Sequence, residues 1–198
     1  GPVKSLVGIE LDSTLAEAMK VVGARCHNPA VLDDRVECLS AIDFFGQPVD
    51  LRMTISDGGE RLRGLRGLSN ALADYRVEEI SLRLPGGNGP REVKKSLLQK
   101  YGKPSFEFVC SSTSAVAKVD DGEMVVRCPE NVFHDSSDHY RAEFFVNGQI
   151  EYQLGAFSSV VYRNEERASA RMEEIKDAVK RGEKYLKDSS IKVGAEGL

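Results

Sequence analysis

The stretch VEEISLRLPGGNGPREVKKSLLQKYGKPS, Val77 to Ser105, decides how the rest of the chain is read. Val77 to Leu84 alternates, with Ile80, Leu82 and Leu84 on one side and Glu79, Ser81 and Arg83 on the other, the period of a half-buried strand. Pro85 to Pro90 is a glycine-rich connector that puts Pro90 at the first helical position, where its missing N–H costs nothing. Val93, Leu97 and Tyr101 then trace one helix face, Gly102 stops the helix and Pro104 forbids its continuation.

The start of the chain carries the same signals. Thr14-Leu-Ala-Glu17 has the spacing of a capping box, and Leu15, Ala18, Met19 and Val22 form an apolar helix face that Gly23 ends. Residues 24–36 read as a loop, with Asn28-Pro29 and Asp33-Asp34 in it. After Cys38 the period becomes two, and Val49, Leu51, Met53 and Ile55 alternate with Asp50, Arg52, Thr54 and Ser56. Asp57-Gly58-Gly59 is a hairpin signal, and Arg61 to Arg66 reads as a further strand with Leu62 inward. Residues 69–76 read as a loop or a single helical turn.

Beyond the second helix, Phe106 to Cys110 and Met124 to Cys128 read as strands about the turn Asp120-Asp121-Gly122. Asn147-Gly148 is the strongest hairpin signal in the chain, between strands Tyr140 to Val146 and Gln149 to Leu154. Ala156 to Tyr162 gives one more strand. From Asn164 the chain is a highly charged helix whose thin stripe of Ala168, Met172, Ile175, Val179 and Leu186 suits a helix on the surface or against a partner. The fold class expected is α+β: two diverged helix-plus-antiparallel-sheet units, 3–85 and 86–163, related by internal duplication. A C-terminal helix over 164–188 and a disordered tail over 189–198 complete the reading.

At 198 residues, 41% hydrophobic and 29% charged, the composition is that of an ordinary globular chain able to bury a core. A net charge of −4 with both signs interspersed argues against a nucleic-acid binder, which needs a basic surface to neutralise phosphates. No apolar run approaches the ~18 residues that suggest a membrane-spanning helix. Gly1-Pro2, without an initiator methionine, reads as the scar of a protease cleavage, which places any native signal peptide or lipid-anchor cysteine upstream. The four cysteines form two sequence-local couples, Cys26 with Cys38 and Cys110 with Cys128, although four cysteines allow three connectivities and sequence does not choose among them. No Cys-x-x-Cys is present, so disulfides in a periplasmic or secreted protein are the expectation rather than zinc.

Two segments carry a family resemblance: Val7-Gly8-Ile9-Glu10-Leu11-Asp12-Ser13-Thr14 through Val22-Gly23, and Val93 through Tyr101-Gly102-Lys103-Pro104. They resemble the entry of the units in the superfamily of small envelope proteins that includes the beta-lactamase-inhibitor proteins and the SmpA/OmlA (BamE) lipoproteins. The resemblance covers about a quarter of the chain and implies non-catalytic binding, as an inhibitor or an assembly scaffold. The chain departs from that pattern in lacking Lys-Pro after Gly23, in having no tryptophan and in its added charged helix. No binding residue carries over.

Candidate chemistry is sparse. His134-Asp-Ser-Ser-Asp-His139 gathers possible metal ligands, and a metal site or hydrolase centred on His134, Asp138 and His139 is the alternative function. The spacing is not that of a zincin, and aspartate and serine are ordinary turn formers. The Ser/Thr run after Cys110 lacks a nucleophile elbow, and Pro85 to Pro90 lacks the Gly-Lys-Ser/Thr of a phosphate-binding loop, so no catalytic residue and no cofactor is assigned. More informative are Arg52, Arg61, Arg63 and Arg83, which the alternation places together on the outward face of the first sheet. Arginine's forked donors suit carboxylates, so the expected partner is another protein with an acidic patch. The competing reading is a solvated face balanced by Asp50 and Glu79.

Overall fold

The computed structural model describes residues 3–26, 29–32, 34–56, 74–84, 91–111, 114–119, 122–128 and 139–196. Helix α1 (Leu15–Val22) starts as its sequence dictates: Thr14 is extended at φ −69°, and its Oγ1 accepts the N–H of Glu17 at 3.1 Å. Gly23, at φ 63°, closes it. Strands β1 (Ala30–Leu32), β2 (Arg35–Phe44), β3 (Gln47–Ile55) and β4 (Val77–Leu84) follow. Helix α2 (Arg91–Tyr101) precedes β5 (Phe106–Ser111), β6 (Ser114–Val119), β7 (Gly122–Arg127), β8 (His139–Phe145), β9 (Ile150–Leu154) and β10 (Ser158–Arg163). Helix α3 (Glu165–Glu196) ends the described chain.

Among the described residues the ten strands form a single antiparallel sheet, in the order β1-β2-β3-β4-β10-β9-β8-β5-β6-β7. The α+β class is therefore met, with sheet predominating. The join between β4 and β10 runs from Leu84 opposite Ser158 to Glu79 opposite Arg163, so the last strand seals the first four to the rest.

Phe144 and Phe145, adjacent in β8, point to opposite faces and enter different cores. On Phe145's face, α1 (Leu15, Ala18, Val22) and α2 (Val93, Leu97) cover Leu51, Met53, Ile80, Leu82, Tyr152 and Val160. Leu51, Ile80 and Leu82 are wholly buried, and each such side chain contributes roughly 1.5–3 kcal/mol by leaving water. On Phe144's face, Ile175, Ala178 and Val179 of α3 cover Phe106, Phe108, Ala117 and Ala142. The narrow stripe of the charged helix thus packs on the chain's own sheet. Ala168 and Ala178 are buried with it. The helix also continues past Asp188 to Glu196, where the sequence reading placed a tail.

β1 lies within residues 24–36, read as a loop. β6, which the sequence reading did not foresee, stands between the strands at 106–111 and 122–127, so the segment 120–122, read as a turn, joins β6 to β7. Two further local features escaped the sequence reading. The first is β2 itself, which turns into β3 through Phe45-Gly46, both at positive φ (52° and 76°), with Phe44 opposite Gln47. Positive φ at both loop positions is what a two-residue hairpin requires to match the strand twist. The second is a bulge between Cys38 and Ile42, where Ser40 sits at φ 49° and donates its N–H to Asp50 Oδ1 at 2.8 Å. A hairpin does join β8 to β9 at Asn147-Gly148, but its loop is four residues, Val146 to Gln149, rather than the two read from sequence. Phe145 stands opposite Ile150, and Val146, Asn147 and Gly148 all have positive φ (51°, 53° and 89°). The Asp57-Gly58-Gly59 turn and the strand from Arg61 lie outside the described residues.

The cysteines close as Cys26–Cys38 and Cys110–Cys128, with Cα separations of 5.2 and 5.8 Å. The first bridge ties the end of α1's extension to β2, and the second ties the end of β7 to β5, two strands away. Two disulfides fit an oxidising, extracytoplasmic location. No helix among the described residues is long and apolar enough to cross a membrane.

Candidate functional site

Helix α3 covers only part of its face of the sheet. Over β2, β3, β4 and β10 no described helix covers that face, and its side chains border a groove of about 270 Å³. Strand register sets its floor in three cross-strand rows. Arg35, Thr54, Glu79 and Arg163 form one; Glu37, Arg52, Ser81 and Val161 the next; Asp50, Arg83, Ser159 and Gln153 the third.

The rows differ in how their charge is spent. Arg52 Nη2 meets Glu37 Oε1 at 2.6 Å, so this arginine, exposed as the alternation predicts, already has a carboxylate. Arg163 donates to Glu79 Oε1 at 2.8 Å and to Glu151 Oε1 at 2.7 Å. Arg83 differs. Asp50, directly opposite it, accepts from the bulge at Ser40, and the Arg83 guanidinium lies instead over the Phe157 ring, 4.1 Å from its centre. Among the described residues Arg35 Nε also has no hydrogen-bond partner and is 3.8 Å from Asp34 Oδ1. The groove floor is nearly balanced, with its unspent cation at Arg83.

Apolar side chains rim it. The bulge throws Leu39 outward, 72% exposed, and Phe157, in the β9–β10 turn, is 52% exposed. Both border the groove.

One end of the groove is anchored to α3 by a buried carboxylate. Glu151, fully buried on β9, accepts from Arg163, from Arg171 Nε at 2.9 Å and Nη2 at 3.2 Å, and from Gln153 Nε2. Burial alone would raise its pKa. The Arg163 and Arg171 charges and the hydrogen bonds from Arg171 and Gln153 outweigh that and hold it at about 2. Asn164 caps α3 through Oδ1 to the Arg167 N–H at 2.9 Å, and Arg167 Nε reaches Glu78 Oε2 at 2.8 Å. These contacts fix where the helix begins, and so where the groove stops.

On the opposite face Lys94 of α2 pairs with Glu143 of β8, which is 1% exposed. Burial pushes the Lys94 ammonium below its usual pKa.

Of the four arginines read from sequence, the structure places Arg52 and Arg83 on neighbouring strands of one face; Arg61 and Arg63 lie outside the described residues. The sequence reading missed Leu39, Phe157 and Arg163. Only Arg163 left a signal, as a charge at the end of an apolar strand. Of the histidine cluster, His139 is described and is exposed at the start of β8, opposite Ser111; His134 and Asp138 are outside the described residues. Among the described residues no group of three His, Cys, Asp or Glu could hold a metal ion.

Comparisons of the chain with protein-family models, with curated proteins and with solved structures give no match.

Proposed function

We propose that this protein is a non-catalytic protein-binding module of the periplasm or the secreted space. It docks a segment of another protein in the groove, as an inhibitor, an immunity protein or an assembly scaffold. The observation that carries the reading is Arg83: a guanidinium over the Phe157 ring, without a carboxylate partner among the described residues, in a groove that the exposed Leu39 and Phe157 border. Arginine and aromatic side chains are enriched at protein interfaces, and such an exposed pair can be buried by a partner. The segment that fits carries an acidic side chain for Arg83 and apolar ones for the rims. The periplasmic or secreted setting is supported by the two disulfides. The likeness to the BamE and inhibitor-protein superfamily rests on the two sequence segments quoted above. A duplicated origin is supported by the order helix, strands and one bridge on each side of residues 85–90.

Photo-crosslinking in cells that produce the protein tests this. A benzoyl-phenylalanine at position 39 or 157 should trap one protein species that position 98, on α2, does not trap. Arg83→Glu should abolish the adduct while leaving the disulfides and circular dichroism intact. An adduct indifferent to Arg83→Glu, or none from either rim, overturns the proposal.

A further inference from the structure

The two ends of the sheet are built differently. β1 is three residues long, a blunted edge, whereas β7 is six residues in unbroken register with β6. β7 contains no proline and no bulge, and no described strand occupies its outer side. Sheet edges of this kind offer a free row of backbone donors and acceptors, and proteins that stay monomeric interrupt them.

The side chains leading to that edge form a pattern. On the face away from α3, Val109, Val116 and Val125 stand directly opposite one another on β5, β6 and β7. The row is half-buried at Val109 and Val116, and Val125 is 59% exposed at the edge. On one side of it runs Glu107, Lys118, Glu123, and on the other Ser111 and, at β7, Arg127. At β7 itself the row of valines therefore ends between an acid and a base.

We propose that β7 pairs antiparallel with β7 of a second copy of this chain, about a two-fold axis at Val125. Antiparallel pairing about that residue sets Val125 against its own copy. It sets Glu123 against Arg127 of the other copy, twice. The pattern Glu-x-Val-x-Arg is self-complementary in this register, as an isologous interface requires. Arg127 is already engaged within its own chain, and its five donors allow a second acceptor. The valine row then runs unbroken across both copies, with the edge covered. A foreign strand would need to reproduce the same charge order; a second copy carries it by construction. This inference is independent of the groove, which lies at the other end of the sheet.

Sedimentation equilibrium of the full chain, in 0.1 M salt without reductant, tests it. The wild type should show a reversible monomer–dimer equilibrium. Glu123→Arg and Arg127→Glu should each weaken it by on the order of tenfold or more, since both cross-strand pairs become repulsive. An equimolar mixture of the two variants should dimerise again, because each mixed pair is then Arg with Glu. Val125→Glu, at an exposed position, supplies a weakened dimer should Arg127→Glu fail to fold. A wild type that remains monomeric at millimolar concentration, or a dimer that all three substitutions leave unchanged, overturns the proposal.

Discussion

Arg171 of α3 grips Glu151 of β9 with two parallel hydrogen bonds, Nε to Oε1 at 2.9 Å and Nη2 to Oε2 at 3.2 Å. The carboxylate is wholly buried, so the fork fixes the helix on the sheet at one position and one angle.

Without Arg171 the buried Glu151 keeps Arg163 and Gln153 but loses one of its two cations and both bonds of the fork. Arg171→Met should cost about 1.5–3 kcal/mol in urea unfolding, the range for hydrogen bonds to a charged group. Arg171→Lys should recover little of it, because an ammonium cannot make the fork.

The same carboxylate sets an acid limit. Its folded pKa of about 2 lies below the ordinary 4.5, so its contribution is complete above about pH 4.5 and is lost as pH falls toward 2. Unfolding curves of the wild type and Glu151→Gln should therefore be well separated at pH 7 and converge between pH 4.5 and 2. A separation that stays constant to pH 2 would show that ionisation of Glu151 contributes nothing.

Gly148 is at φ 89°, and a Cβ there would stand 2.7 Å from Met172 Cγ and 3.2 Å from the Ala168 carbonyl oxygen. Gly148→Ala should lower stability by about 1–3 kcal/mol through strain and overpacking. Met172→Ala in the same chain should restore only part, because the backbone strain and the carbonyl remain. Thermal midpoints of the four proteins in this cycle decide it.

Each disulfide should contribute about 3 kcal/mol, typical for loops of 12 and 18 residues. Replacing Cys26 and Cys38 together with serine should lower the denaturation midpoint and leave the Cys110–Cys128 bridge closed, as peptide mapping would show.

Local signals in the sequence were legible where they were strong. The alternation of Val49, Leu51, Met53 and Ile55 became β3 with those four residues buried, and Thr14 and Gly23 bound α1 as capping chemistry requires. β2 was hidden because its turn uses Phe45 at positive φ, which intrinsic preference disfavours and which packing against the Phe44 ring accompanies (4.8 Å, edge to face). The partnership of β4 with β10 joins residues far apart in the chain, and no local period encodes it. At the site, Arg52 and Arg83 followed from strand alternation alone. Leu39 depends on a bulge and Phe157 on a turn, and neither has a periodicity to betray it.

The β4–β10 pairing also imposes an order of events on a chain that emerges N-terminus first. Until residues 158–163 appear, β4 has no neighbour on that side. The early strands must then be kept from pairing with other molecules, at a sheet edge flanked by Ile80 and Leu82. The groove walls stand on both sides of this late seam, Arg52 and Arg83 on one and Ser159 and Arg163 on the other. The groove proposed for the partner is therefore complete only once residues 158–163 have joined the sheet.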